Sequence, residues 1–276
     1  MYSDILKGLD PKPWIGAWQS GSFLTDVLSE ARRPPDWYGC PPGLIPLTSD
    51  GSGPVYIGVW VRWFEEPRRH TYVMCSVENG HLLREIARTD EQFSVWLTLR
   101  AIAFEGAITD EIVTFCKETG PLSVSDIEAH ARAFGDDPER LTDLPMFRDQ
   151  RPNDIGPEAI ATYGVLHPQH TDPARFRDAC WFELSEEQQR IALDHPDAAP
   201  WLRRDAPVAR LFDDYLSDGR QAEAWATLSS TGWSLPDARA AAERLAAATD
   251  RPGLALQLRA WIAFSQQTDI PERYGY

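Results

Sequence analysis

Histidines are the first side chains in this chain to test for chemistry, because imidazole binds metals and transfers protons near neutral pH. His167 and His170 are the only close pair, and two such ligands bind a metal when a helix presents both and a third ligand approaches from elsewhere. Pro168 lies between them in a segment with the composition of a loop, which opposes that geometry. We therefore expect two solvated loop histidines, no bound metal ion and no cofactor.

The cysteines give a second test for chemistry. Cys40, Cys75, Cys116 and Cys180 are widely spaced and form no Cys-x-x-Cys pair. This spacing argues against a zinc ribbon, a redox motif or a dense disulfide framework. We expect four reduced residues of the hydrophobic core.

Signatures of common enzyme classes are missing from the sequence. It contains no Gly-x-Ser-x-Gly elbow, no His-Glu-x-x-His helix and no Gly-x-x-x-x-Gly-Lys-Ser/Thr loop. One enzymatic alternative stays open, a hydrolase or transferase that uses His70, His81 or His130 with nearby carboxylates, in a site between sheet and helices.

The elements that must position these side chains begin with a β-meander. Residues 55–64 alternate strongly β-prone side chains with period two, which predicts a strand. Residues 65–69 indicate a turn and residues 70–77 the returning strand; Asn79-Gly80 favours a second tight turn before a third strand at 82–87. Residues 39–54 are predicted to form a loop that carries at most one short strand.

Helices are predicted on both sides of this meander. A short one covers residues 22–31, and Thr89 with Gln92 has the pattern of a capping box that opens a helix with Phe93, Trp96, Leu97, Ala101 and Phe104 on one face. We expect Phe93 and Trp96 to pack on the strand face that carries Ile57, Val59 and Val61. Further helices follow at 110–118 and from a cap at Ser125 to Gly135.

The whole chain is thus predicted to be α+β: an antiparallel sheet with flanking helices, followed by a mostly helical C-terminal half. We place an α+β domain at residues 1–135, an extended, proline-punctuated connection at 136–172 and short helices at 173–276. Helix starts are indicated at Ser234 and at Asp205-Ala-Pro207, with stops at Gly219 and Gly232. The N-terminus has no signal sequence, and no stretch is long and apolar enough to span a membrane, which predicts a cytoplasmic protein.

Charge is distributed unevenly along the chain. The net formal charge is −15, of which residues 1–104 contribute −2, residues 105–158 contribute −8 and residues 159–276 contribute −5. An acidic field of this kind repels nucleic acid and anionic lipid and accelerates encounter with basic partners. Acidic runs more often serve solubility alone, so this alternative stays open for any single run.

Two groups of residues are candidates for partner binding. Asp136, Asp137, Glu139 and Asp143 lie in the acidic middle segment; a divalent-cation site there is the less favoured alternative to a solvated helix start. Trp60, Arg62, Trp63 and Phe64 form an aromatic and basic cluster on the predicted hairpin, and Trp and Arg are enriched at interface hot spots. The competing interpretation is that one face of this hairpin is core and the other is covered by the C-terminal helices.

A resemblance joins these observations. Residues 44–53, Leu-Ile-Pro-Leu-Thr-Ser-Asp-Gly-Ser-Gly, precede a strand and hairpin, and Ile-Ala-Arg-Thr-Asp-Glu-Gln-Phe-Ser-Val-Trp-Leu at residues 86–97 opens a helix. Together they resemble the SUKH superfamily. The resemblance implies an α+β fold with a curved antiparallel sheet, and a role similar to that of bacterial immunity proteins, which bind a toxin effector, often a nuclease, and block it.

We therefore expect a non-enzymatic cytoplasmic binding protein whose partner is a basic protein, such as a nuclease-type toxin. Neither nucleic acid nor a membrane is an expected partner. Besides the enzyme considered above, a helical module that binds a peptide in a groove of the C-terminal half stays open as an alternative.

Overall fold

The computed structural model describes residues 2–9, 12–19, 39–50, 55–66, 68–76, 82–120, 122–134, 144–148, 180–184, 189–190, 192–193, 195 and 198–266. Four strands are present: β1 Leu44–Asp50, β2 Val55–Arg62, β3 Arg69–Ser76 and β4 Leu82–Ala87. The α-helices in the first part are α1 Tyr2–Gly8, α2 Pro13–Gln19, α3 Asp90–Glu105, α4 Asp110–Thr119, α5 Val124–Phe134 and α6 Pro145–Arg148. Those in the last part are α7 Val208–Ser217, α8 Gln221–Leu228, α9 Leu235–Ala248 and α10 Pro252–Ser265, preceded by short 3-10 turns at Trp181–Glu183 and Pro200–Leu202.

The strands form one antiparallel sheet in the order β1-β2-β3-β4. In β2, Val59 pairs with Ile45 of β1 and with Tyr72 of β3. The predicted meander and the α+β fold class are confirmed, and the short strand allowed within residues 39–54 is the edge strand β1. Pro46 lies where the β1 register shifts, which fits a residue that cannot donate a ladder hydrogen bond.

One face of the sheet packs against α3 and α2. Phe93 of α3 stacks on Tyr72 with ring centroids 4.1 Å apart and an interplanar angle of 8°, and Tyr72 shares its sheet face with Val59. Trp14 and Trp18 of α2 contact the same Phe93 ring. The expected packing of α3 on the Val59 face of β2 is confirmed, because the helix stripe and the strand alternation each supply half of an apolar contact.

The other face packs against the last helix, α10. Tyr56 of β2 meets Phe264 edge to face at 6.3 Å between centroids. The Trp261 indole N–H donates to the Cys40 carbonyl oxygen at 2.8 Å, next to β1. Helices therefore cover both sides of β2, which explains why its side chains are apolar or aromatic in both alternating sets.

The C-terminal helices have ends that the sequence predicts well. Ser234 caps α9 by accepting a hydrogen bond from the Asp237 N–H at 3.3 Å. Gly219 follows the end of α7 with a φ of 74°, as expected for a helix stop. Gly232 also has a positive φ, 99°, but α8 already ends at Leu228, four residues earlier than predicted.

Some predicted elements differ from the structure or lie outside it. The helix predicted to start with a Ser125 cap is capped instead by Ser123, whose hydroxyl accepts from the Asp126 N–H while Asp126 accepts from the Ser123 N–H. Within the predicted extended connection, residues 145–148 form a helical turn with Phe147 fully buried. The helix predicted at 22–31 and the Asn79-Gly80 turn lie outside the described residues.

Candidate functional site

The two tryptophans of the predicted hairpin cluster are not available to a partner. Trp60 and Trp63 are each only 3% exposed. The Trp60 ring lies on Gly43, where an added Cβ would be 2.3 Å from it, and the Trp63 ring lies on Gly253 at the start of α10, where an added Cβ would be 2.5 Å from it. Trp63 is therefore covered by the C-terminal half, as the competing interpretation expected, whereas Trp60 packs against the segment that precedes β1.

Trp63 is also held by a buried polar network. Its indole N–H donates to Gln257 Oε1 at 2.7 Å, and Gln257 Nε2 donates to the Pro42 carbonyl oxygen at 2.7 Å. Gln257 thus satisfies one donor and one acceptor from two chain segments more than 190 residues away, inside an apolar interface.

The remaining hairpin residues, Arg62 and Phe64, are half-buried and already engaged. Arg62 pairs with Glu65 at 3.2 Å. The Arg251 guanidinium lies 4.9 Å from the centre of the Phe64 ring and 3.6 Å from a Glu66 carboxylate oxygen. The charges at this edge of the hairpin are therefore largely neutralised by neighbouring charged side chains of the same chain.

The predicted acidic site at Asp136, Asp137, Glu139 and Asp143 lies outside the described residues. The structure does describe most of the first part of the acidic middle segment, residues 105–120 and 122–134, which carry six acidic and two basic side chains. Five of the carboxylates are exposed. We use the name acidic helical face for these exposed carboxylates of α3, α4 and α5: Glu105, Asp110, Glu118, Asp126 and Glu128.

Carboxylates on this face differ in how far they are neutralised. Glu128 pairs with Arg132 at 2.6 Å, and Asp126 accepts from the Ser123 hydroxyl at 2.6 Å. Within the described part of the chain, Glu105, Asp110 and Glu118 have no ion-pair partner. Their charge is directed to solvent and acts on whatever approaches.

Phe104 lies next to Glu105 of this face. It continues the apolar stripe predicted for α3, but its exposure is 69%, and it is the one exposed large apolar side chain among those whose burial the structure describes. It falls in the last turn of α3, where Ala103 and Glu105 are exposed as well, before Gly106 ends the helix with φ 67°. Helical periodicity predicts on which face of a helix a residue lies. It does not predict where along its length the helix stops packing against neighbouring elements.

A histidine, a tyrosine and an aspartate meet at the start of α3. Asp90 accepts hydrogen bonds from the Tyr72 hydroxyl at 2.6 Å and from the Lys12 N–H at 2.8 Å, and His70 Nε2 lies 3.6 Å from the same carboxylate. Burial by itself raises the pKa of Asp90, but the hydrogen bonds from His70, Tyr72 and Lys12 hold this pKa below its usual value. Burial, followed by the Asp90 charge, raises the pKa of Tyr72 far above its usual value, so its hydroxyl remains a donor.

This cluster is the part of the structure closest to the enzymatic alternative. An imidazole beside a carboxylate is the base and orienting half of a nucleophilic site. In the described residues, however, no serine, threonine or cysteine side chain donates a hydrogen bond to His70. Asp90, at the start of α3, binds groups from two other chain segments: Lys12 just before α2, and His70 and Tyr72 of β3. Its geometry is that of a cross-link between α2, β3 and α3. His130 is buried on α5, and His81 lies outside the described residues.

The cysteines are free and buried, as predicted for Cys40, Cys75, Cys116 and Cys180. Burial raises the pKa of Cys75 to about 12 and raises that of Cys40 as well, with Cys75 adding to the effect. A protonated thiol is a poor nucleophile and a poor metal ligand. Among the residues described, no group of three or more His, Cys, Asp or Glu side chains is arranged to hold a metal ion. His167 and His170 lie outside that part of the chain.

Comparison with known proteins gives no match, whether with family models, curated proteins or solved structures. In the described part of the chain, no helix combines the length and the apolarity needed to cross a membrane.

Proposed function

We propose that this chain is a non-enzymatic binding protein for a basic protein partner, acting as immunity proteins do on toxin effectors. The observation that carries this proposal is the acidic helical face, on which three carboxylates without an ion-pair partner project into solvent. Uncompensated charges of one sign on one side of a protein attract oppositely charged partners and raise their association rate.

Other features support binding over catalysis. The polar cluster at Asp90 cross-links three chain segments, and burial raises the pKa of the Cys40, Cys75 and Cys116 thiols. The antiparallel sheet flanked by helices is the fold that the SUKH resemblance implies. Free thiols and the acidic charge fit a cytoplasmic protein whose partner is neither a nucleic acid nor a membrane, and we include both points in the proposal.

The decisive experiment begins with gene order. An immunity protein is encoded beside its effector, so we expect an adjacent gene for a large secreted protein with a basic C-terminal toxin domain. That domain, purified in a catalytically inactive form, is the probe for surface plasmon resonance against the full chain at several salt concentrations. Exposed charges are screened beyond about 8–10 Å at physiological ionic strength, so the association rate should fall markedly as salt rises.

Two sets of charge substitutions test which carboxylates accelerate association with the partner. Glu105→Gln, Asp110→Asn and Glu118→Gln together remove the unpaired charges of the acidic helical face. A second set, Asp136→Asn, Asp137→Asn, Glu139→Gln and Asp143→Asn, removes four carboxylate charges from the segment that follows in the sequence. We expect each set to slow association and to leave the far-ultraviolet circular dichroism spectrum unchanged. The control, Asp213→Asn with Asp237→Asn, removes two exposed charges from the C-terminal helices. No binding to the adjacent toxin domain would overturn the proposed function, and association indifferent to salt and to both variants would reject steering.

A further inference from the structure

We propose that Phe104 is the aromatic anchor of the partner interface and enters an apolar cavity of the basic partner that is rimmed by Lys or Arg side chains. This inference rests on the proposed function and adds the surface, its central residue and the chemistry of the matching site. It is carried by the exposed apolar surface at the junction of α3 and α4.

The apolar surface is larger than one side chain. Residues 102–108 read Ile-Ala-Phe-Glu-Gly-Ala-Ile, with Ala103, Phe104 and Ala107 exposed and Ile102 and Ile108 half-buried. We call the exposed and half-buried apolar residues of this turn the corner patch: Ile102, Ala103, Phe104, Ala107 and Ile108. Among the other side chains whose burial the structure describes, the large apolar ones are buried or half-buried, so Phe104 presents the most exposed large apolar surface there.

Charges around the corner patch define the partner. Glu105 follows Phe104 directly, and Asp110 and Glu111 open α4 four and five residues after Gly106. Arg100 lies one turn earlier on α3, where its guanidinium sits 5.6 Å from the centre of the Trp96 ring. Glu105 and Asp110 have no ion-pair partner among the described residues, so these charges, taken together with Arg100, leave a net acidic rim beside an aromatic centre. An apolar centre with a charged rim is the usual anatomy of a protein interface, and this rim is complementary to a basic one.

A second copy of this chain does not fit the patch. Two corner patches placed face to face would bring like-charged carboxylates together on molecules that each carry a net charge of −15. Such juxtaposition disfavours association. The same charge assists approach of a basic protein.

The test uses the inactive toxin domain encoded beside this gene as the probe, and compares two identical substitutions. Phe104→Ala removes the exposed ring, whereas Phe64→Ala removes the half-buried ring that Arg251 covers on the hairpin. An interface hot spot loses affinity by roughly 30-fold or more on truncation to Ala, mainly through faster dissociation. We expect this loss for Phe104→Ala, and affinity within about twofold of wild type for Phe64→Ala.

A charge variant and a solution measurement complete the design. Glu105→Gln with Asp110→Asn should slow association and change dissociation little. This result would distinguish the role of the acidic rim from that of the Phe104 ring. Thermal unfolding of Phe104→Ala at the wild-type temperature, together with an unchanged sedimentation coefficient, shows that the variant affects neither the fold nor self-association.

The outcomes separate the two proposals. If the toxin domain binds wild type and Phe104→Ala equally well, the anchor is overturned and the proposed function stands. Loss of affinity in Phe64→Ala alone would place the interface on the hairpin and also overturn the anchor. A wild-type dimer in sedimentation that Phe104→Ala dissolves would assign the corner patch to a second copy and reject this inference. Absence of any binding would overturn both proposals together.

Discussion

The β2–β3 hairpin and the α3–α4 corner both carry aromatic residues beside charged ones, yet they end up in opposite environments. Trp60 and Trp63 are 3% exposed, whereas Phe104 is 69% exposed. At the hairpin, α10 approaches so closely that glycine is required at position 253 beneath the Trp63 ring. At the corner, α3 ends at Gly106 and the chain turns away. An aromatic cluster in a sequence therefore indicates a surface that needs covering, and only the tertiary arrangement decides whether the chain itself covers it.

The largest effect expected from this comparison is the loss of Trp63. Trp63→Ala would leave a cavity between the hairpin and α10 and an unpaired Gln257, so we expect the free energy of unfolding to fall by about 3–5 kcal/mol. Urea denaturation followed by circular dichroism measures it. Trp63→Phe, which keeps most of the volume, is the matched control and should lose less. A loss below about 1 kcal/mol for Trp63→Ala would mean that α10 does not pack on the hairpin as described.

The polar network beneath that packing provides the next test. Gln257→Leu replaces the amide by an apolar side chain of similar size and leaves the Trp63 N–H and the Pro42 carbonyl oxygen without their partner. Each unsatisfied buried group costs about 1–3 kcal/mol, partly offset here by the apolar leucine, so we expect a net loss of about 1–3 kcal/mol in urea denaturation. Gln266→Leu, on an exposed glutamine just beyond α10, is the control and should change little. Equal stability of the two variants would show that the network contributes nothing net.

Much of this fold could be predicted from the sequence because the patterns that indicate it are local. Residues 55–64 alternate with period two, and Thr89 with Gln92 forms the predicted cap, in which the Thr89 hydroxyl accepts from the Gln92 N–H at 3.1 Å. The side chain of Gln92 reaches one residue further back than a standard capping box, to the Arg88 N–H at 2.7 Å. Such patterns depend on neighbours within four residues, so no knowledge of the tertiary fold is needed to find them.

The candidate site was harder to predict because its features are non-local. Trp63 and Gln257 are separated by 194 residues, and no spacing rule connects them. The Asp90 cross-link likewise joins side chains from β3 and α3 with the backbone of Lys12. Phe104 was difficult to place for the opposite reason. The local apolar stripe of α3 continues to Phe104, although the part of α3 that packs against other elements ends before it. One signal was present: Gly106 and the acidic start of α4 mark the end of α3 two residues after Phe104.

A smaller, pH-dependent effect on the free energy of unfolding is expected at the Asp90 cross-link. Asp90→Asn removes the charge that Tyr72, Lys12 and His70 stabilise, and we expect a loss of about 1–2 kcal/mol at pH 7. The folded-state pKa of Asp90 lies below its unfolded value, so its contribution is complete above the unfolded pKa and is lost as pH falls through the folded pKa. The stability difference between wild type and Asp90→Asn should therefore shrink in acid. Urea denaturation between pH 7 and pH 3 measures it, and a difference that grows as pH falls would contradict the assigned hydrogen bonds.

The smallest effect on stability is expected at the corner, and it completes the comparison. Phe104 is largely solvated in the folded chain, so truncation to Ala removes little buried surface and opens no cavity. The free energy of unfolding of Phe104→Ala should lie within about 0.5 kcal/mol of wild type, against several kcal/mol for Trp63→Ala. Phe93→Ala on the same helix is the internal control, because the Phe93 ring is fully buried and stacked on Tyr72. Urea denaturation of the three variants under one set of conditions orders them directly. A loss above about 1.5 kcal/mol for Phe104→Ala would show that this ring is packed in solution, and the corner would then resemble the hairpin instead of opposing it.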